Sequence, residues 1–167
     1  HTKALLALFA PGSTVEVSGT EEGFLGSFYT ARVIEAREAR GASLRLHVCY
    51  EAFQEDDGST WTDWVDLRHV RPLPPAHADA EFLPTLALDT PLEINVEGGW
   101  WEVQYCGAEA AGHTVIAQRY RAHHTVPVSR LRPAWHWSAA TGAWEVLRQP
   151  RPVQASPPAS RKQRTKL

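Results

Sequence analysis

Residues 11–36, PGSTVEVSGTEEGFLGSFYTARVIEA, and 44–75, LRLHVCYEAFQEDDGSTWTDWVDLRHVRPLPP, decide the fold. Val15 and Val17 alternate with Glu16, and Tyr29, Ala31 and Val33 alternate with Thr30 and Arg32. That period of two belongs to strands with one buried face. Leu44, Leu46, Val48 and Tyr50 continue it on a third strand, with Arg45, His47 and Cys49 on the other side. Arg40-Gly41-Ala42-Ser43 reads as one hairpin turn and Asp56-Asp57-Gly58-Ser59 as another, Gly58 supplying a positive φ at little cost. Trp64, Val65, Leu67 and Val70 supply a fourth strand and its exit, with Trp64 assigned to the core and Phe24 to a loop anchor beneath Gly23 and Gly26. Four or five short, strongly bent strands closing into a small barrel are expected.

The same grammar recurs after roughly seventy residues, the mark of an internal repeat. Leu92-Glu93-Ile94-Asn95-Val96 parallels the first strand, and the run from Glu97 to Val103 parallels the one from Gly26 to Ala31. His113 to Tyr120 gives a third strand, followed by a loop at Arg121-Ala122-His123-His124, and both repeats close on Arg-Pro, at Arg71-Pro72 and Arg132-Pro133. The expected fold is all-β: two tandem small bent barrels packed together. The boundaries are 6–75 for the first barrel, 76–91 for a connector, 92–148 for the second barrel and 149–167 for a basic tail of Pro, Ser, Arg and Lys expected to be disordered. A barrel this small has little interior, so packing the pair together stabilises both. Phe82, Leu83, Leu86 and Leu88 are apolar residues a free linker has no reason to carry and are expected to dock between the barrels. Trp135, Trp137 and Trp144 read as core at the end of the second barrel.

Charge narrows the partners. The chain of 167 residues carries net −2, yet five of its 17 Lys/Arg and none of its 19 acids lie beyond residue 150, so residues 1–150 carry −7. Nucleic-acid binding calls for clustered Lys/Arg, which leaves only the basic tail, and secondarily Arg119, Arg121, Arg130 and Arg132, for that role. In the first repeat Glu21, Glu22, Glu51, Glu55, Asp56 and Asp57 fall in or beside loops near the expected aromatic mouth, which suits a basic peptide. No nucleophile elbow, phosphate loop or dinucleotide fingerprint is present, and the eight His residues pair with no nucleophile, so an enzyme is not expected. Cys49 and Cys106 sit in different repeats without Cys-x-x-Cys spacing, so no metal or other cofactor is expected and both thiols read as reduced. Leu5 to Ala10 is too short for a membrane span or signal core, and no membrane partner is expected.

Val15-Glu16-Val17-Ser18, Glu22-Gly23-Phe24, Gly26-Ser27-Phe28-Tyr29, Tyr50, Asp56-Asp57-Gly58 and Arg71-Pro72 together resemble the plant Agenet domain, a Tudor-like barrel of the royal family, here in tandem. The family often has Trp where this chain has Phe28. The resemblance implies a nuclear chromatin reader of a methylated lysine on the histone H3 tail, dimethylated lysine nine foremost, acting beside other tandem Agenet pairs of a longer protein. It places the methyl-lysine cage at Tyr29, Tyr50 and Phe53, with Phe28 and Trp61 as neighbours, and the carboxylate at Asp56 or Asp57. Glu21, Glu22 and Glu55 add acidic peptide contacts, and Trp100, Trp101 and Tyr120 are the corresponding second-repeat positions. The chemistry fits: a methylated ammonium keeps its charge, sheds donors and gains apolar surface, so it favours ring faces beside a carboxylate. A single ring at a strand end is more often packing, but Tyr50, Phe53 and three acids within eight positions make a set. Two other readings stand beside it, a Tudor-like module for RNA and a reader of an unmodified protein ligand.

Overall fold

The structure, a computed structural model, describes residues 2–41, 43–82 and 86–151; Leu83 and the tail beyond 151 lie outside them. A short helix α1 (Thr2–Ala7) precedes β1 (Thr14–Ser18), β2 (Ser27–Glu38), β3 (Leu44–Gln54), β4 (Thr60–Asp66) and β5 (Val70–Pro72). All pair antiparallel, and β1 lies between β2 and β5. After a turn of helix, α2 (Asp79–Phe82), the pattern repeats in β6 (Pro91–Val96), β7 (Gly99–Glu109), β8 (Gly112–Ala117), β9 (Ala122–Val126) and β10 (Leu131–Pro133), with β6 between β7 and β10. A hairpin of β11 (Trp135–Ser138) and β12 (Ala143–Val146) follows.

Each barrel curls for a local reason. The β2–β3 ladder shifts register between Val33 and Glu35, leaving Ile34 43% exposed, and the β7–β8 ladder shifts at the matching place between Tyr105 and Gly107. An extra residue in one strand bends it and deepens its twist, which is how a long strand serves two walls of one barrel. Val15, Val17, Ala31, Val33, Leu46, Val48 and Val70 fill the first interior, as the alternation requires, and Phe9 after α1 plugs it. Leu92, Ile94, Val103, Val115, Val126 and Leu131 fill the second.

The two barrels are joined covalently by the connector and non-covalently by a shared sheet. The first residues of β2 and β7 pair with each other, Ser27 with Trp101, Phe28 with Trp100 and Tyr29 with Gly99, giving one ten-stranded sheet. Under this seam four charges are buried. Arg71 Nη2 lies 2.8 Å from Glu16 and 3.0 Å from Glu93, while Arg132 reaches Glu16 at 2.9 Å and Glu93 at 2.7 Å. Two cations and two carboxylates cancel, each contact is a charge-assisted hydrogen bond, and each Arg reaches the Glu of both barrels. Phe28 lies 3.4 Å beneath the Arg71 guanidinium and Trp100 lies 4.1 Å from that of Arg132. The Arg-Pro that closes each repeat is therefore half of a near-symmetric clasp.

Several sequence expectations are corrected. Trp64 pairs with His47, an outward residue of β3, and so lies on the outer face, stacked on that imidazole at 4.9 Å with Arg37 above it, rather than in the core. Trp135, Trp137 and Trp144 are no part of the second interior; their hairpin turns back to the seam, where the Trp135 carbonyl accepts from Arg71 at 2.9 Å and the Trp144 ring lies 5.4 Å from the same guanidinium. Phe82 and Leu86 pack into the second core instead of between the barrels, and Leu88 is 70% exposed. The third strand of the second repeat stops at Ala117, Tyr120 sits in a tight turn, and Ala122-His123-His124 begin a strand rather than forming a loop.

Candidate functional site

At the open end of the first barrel is a hollow of about 570 Å³. Strand alternation explains who faces it. Within β2, Phe28 points to the seam, so Tyr29 next to it points the other way, toward the hollow. On β3, Tyr50 continues the inward face of Leu46 and Val48. A break in the β3–β4 register between Cys49 and Gln54 lets the strand end turn over the opening, which brings the Phe53 ring within 4.6 Å of Tyr29 and 5.5 Å of Tyr50. On β4, Asp63 pairs with Val48 and Val65 with Leu46, so Trp61, Asp63 and Val65 share the inward side. The β1–β2 loop brings Phe24, 6.1 Å from both Tyr29 and Phe53, and Glu21.

Tyr29, Tyr50, Phe53 and Trp61 are thus brought together, while Phe28 is not: its ring is committed to Arg71. The acids differ more. Asp57 is fully exposed and caps its own hairpin, accepting from the Ser59 hydroxyl at 2.6 Å and the Ser59 amide at 2.9 Å, contacts that hold its carboxyl below the usual range. Among the described residues Asp56, Glu55 and Glu22 are exposed and, like Asp57, do not line the hollow. Glu21 does, and so do Asp63 and Asp66, which sequence reasoning missed. The signal for Asp63 was present in Trp61-Thr62-Asp63-Trp64-Val65: once Val65 is placed inward, Asp63 and Trp61 must follow.

The hollow carries charges of both signs: Glu21, Asp63 and Asp66 line it together with Arg45, Arg68 and His69. Burial, reinforced by the charges of Asp63 and Glu21, pushes the Tyr50 phenol up to about 12. Burial also raises that of Tyr29. Desolvation disfavours the phenolate, and the carboxylates of Asp63 and Glu21 oppose a further negative charge at Tyr50.

The second barrel extends the ring set without duplicating it. Trp101 lies 6.1 Å from Tyr29 and stacks on Phe24 at 6.2 Å, with Tyr120 5.7 Å beyond. Trp100 is withdrawn to the seam beneath Arg132. Two residues past Val48, which pairs with Val33, stands Tyr50; two residues past Val115, which pairs with Tyr105, stands Ala117. The matching position therefore has a methyl group in place of a ring. Gly99 serves the first barrel: a Cβ there would lie 2.5 Å from Tyr29 Cζ, so only glycine lets that ring lie flat across the seam.

Comparison with known proteins agrees with this geometry. The sequence profile of the Agenet domain matches residues 12–75. A protein of Arabidopsis thaliana named Agenet domain (AGD)-containing P1 is 33% identical over 95 residues, 56% of this chain and 17% of its own length. DUF724 domain-containing protein 3 of the same plant is 31% identical over 90 residues, 52% of this chain and 12% of its own length. The chain thus spans less than a fifth of either relative. Among solved structures, the crystal structure of Arabidopsis thaliana AGDP1 AGD34 superposes with a TM-score of 0.74 at 25% identity, covering 87% of this chain and 94% of that one. The ADCP1 tandem Agenet domain 3-4 superposes with a TM-score of 0.70 at 22% identity, covering 87% and 92%.

Proposed function

Because residues 12–75 are an Agenet domain and both barrels share the tandem Agenet fold, we propose that this chain is a chromatin reader that takes a methylated lysine of the histone H3 tail into the hollow of its first barrel. The observation that carries the reading is the coincidence of the rings of Phe24, Tyr29, Tyr50, Phe53 and Trp61 with the carboxylates of Glu21, Asp63 and Asp66 around one open volume. Each ring face contributes on the order of 0.5–2 kcal/mol to holding a methylammonium. The carboxylates supply the long-range attraction, and the net negative charge of residues 1–150 steers a basic tail toward the barrel. Dimethylated lysine nine is the favoured mark, and the nucleus is where the protein would meet it.

The test is a titration of the intact chain with H3 tail peptides bearing zero to three methyl groups at lysine nine or lysine four, at low and high salt. The expected outcome is methyl-dependent affinity at least tenfold above the unmodified peptide, with a modest salt dependence. Equal binding of methylated and unmodified peptides would remove the reading. Methyl-blind, salt-steep binding of single-stranded RNA would replace it with nucleic-acid recognition through the basic tail.

A further inference from the structure

The wall of the hollow contributed by the β1–β2 loop is held from the other barrel. The loop, residues 19–26, carries Phe24, 39% exposed and in contact with Tyr29, Phe53 and Trp101. Within the first barrel Phe24 donates to the Glu21 carbonyl at 3.0 Å, Gly19 donates to that of Ser27 at 3.0 Å, and the Ser27 amide and hydroxyl donate to the Phe24 carbonyl at 3.1 and 2.5 Å. The loop's C-terminal side is tied to the second barrel. The Tyr120 hydroxyl donates to the Leu25 carbonyl at 2.7 Å, across 95 residues of sequence, and the Glu102 amide donates to the Gly26 carbonyl at 2.9 Å. The two carbonyls flanking the hinge at Gly26, whose φ is +82°, are therefore both held by second-barrel donors.

We propose that Tyr120 is a positioning residue for the ring hollow: its hydroxyl latches Leu25, and through it fixes Phe24 as the closing wall, so that the second barrel sets how tightly the first one grips. Tyr120 does this without lining the hollow itself. The Glu102 contact is part of the backbone ladder, whereas the Tyr120 contact is a single side-chain bond removable by one atom. The turn that carries Tyr120 is closed by Arg121 in a left-handed conformation, φ 51°, its amide donating to the Gln118 carbonyl. The phenol is pushed above its ordinary value, by burial first, so it stays protonated and able to donate throughout the neutral range. The second barrel, which has Ala117 where a ring would be needed for a hollow of its own, thereby acts on ligand binding through geometry.

This inference rests on the reading of the hollow as a ligand site, and the test separates the two. In Tyr120→Phe the ring that meets Trp101 is kept and only the hydroxyl is lost. Hydrogen exchange followed by mass spectrometry on the ligand-free protein is expected to show faster exchange across residues 20–26, with residues 44–48 of β3 unchanged. Unchanged exchange in the loop overturns the latch, whatever the protein binds. Titration with the H3 peptide dimethylated at lysine nine is expected to show affinity lowered about three- to tenfold, the range one net hydrogen bond supports, with the unmodified peptide affected less. A loss of thermal stability with neither change would mean a purely structural role and also overturns the proposal. If the parent protein shows no preference for methylated peptide, the methyl-lysine reading fails while the exchange result still decides the latch.

Discussion

Replacing Glu93 with Ala tests whether the seam holds the two barrels as one unit. Glu93 is fully buried and accepts from Arg71 Nη2 at 3.0 Å and from Arg132 Nε at 2.9 Å. Its removal leaves two guanidiniums, both nearly buried, facing Glu16 alone, so one positive charge is stranded where water cannot reach it. Breaking a buried ion pair by deleting one partner costs about 3–5 kcal/mol. In a chain of this size each kcal/mol lowers Tm by about 2–4 °C, so the expected drop is roughly 6–20 °C. Thermal unfolding followed by circular dichroism, with calorimetry to count transitions, is the assay. The double variant Glu93→Leu with Arg132→Met is expected to recover part of the loss, because it removes one charge of each sign and leaves Glu16 and Arg71 balanced. A drop of less than about 2 °C for Glu93→Ala, or a double variant no better than the single, would refute the assignment of the four charges as a coupled, desolvated set.

The ring hollow makes its own predictions. Tyr50→Ala is expected to weaken a methylated peptide at least tenfold by calorimetric titration, and Asp63→Asn to weaken it more than Asp57→Asn, because Asp63 lines the hollow whereas Asp57 caps its own turn. Gly99→Ala forces a Cβ to within 2.5 Å of the Tyr29 ring, so that ring must move; overpacking of this kind costs about 1–3 kcal/mol, and both Tm and peptide affinity should fall. Tyr50 should titrate near 12 in near-ultraviolet phenolate absorbance, against about 10 in the unfolded chain, and Asp63→Asn should bring it down. The folded state then holds a proton the unfolded state releases, so Tyr50 contributes a loss of stability as pH rises from about 10 to about 12 and none in the neutral range.

The barrels were legible in the sequence because period-two alternation has one solution when a strand has one dry face: Val15, Val17, Ala31, Val33, Leu46 and Val48 are all in the first core. The turns at Gly41 and Gly58 were legible for the same local reason, both having a positive φ. What sequence could not supply were relations between elements distant along the chain. Phe28 and Tyr29 are both aromatic neighbours on one strand, and only the seam with β7 decides which of them belongs to Arg71. Glu16 and Glu93 read as the polar half of an alternating strand, whereas the packing of a second barrel turns that polar face into an interior. Trp64 was misplaced because bulk alone suggested core, yet its register with His47 puts it outside. Asp56 and Asp57 are acidic and near the mouth in sequence, but Asp57 satisfies its own turn by accepting from Ser59, and exposed Asp56 does not line the hollow.

The consequence of that alternation is that the seam and the hollow share one strand start. Phe28 packs against the charge cluster, and Tyr29, one residue on, lines the hollow. Tyr29 is also pinned across the seam by Gly99 and Trp101, and Phe24 is pinned through Leu25 by Tyr120. A lone barrel of this size, with a handful of buried valines, would leave those rings loosely held. The second barrel has no ring at Ala117 and yet bears, through Trp101, on two rings of the first, Phe24 and Tyr29.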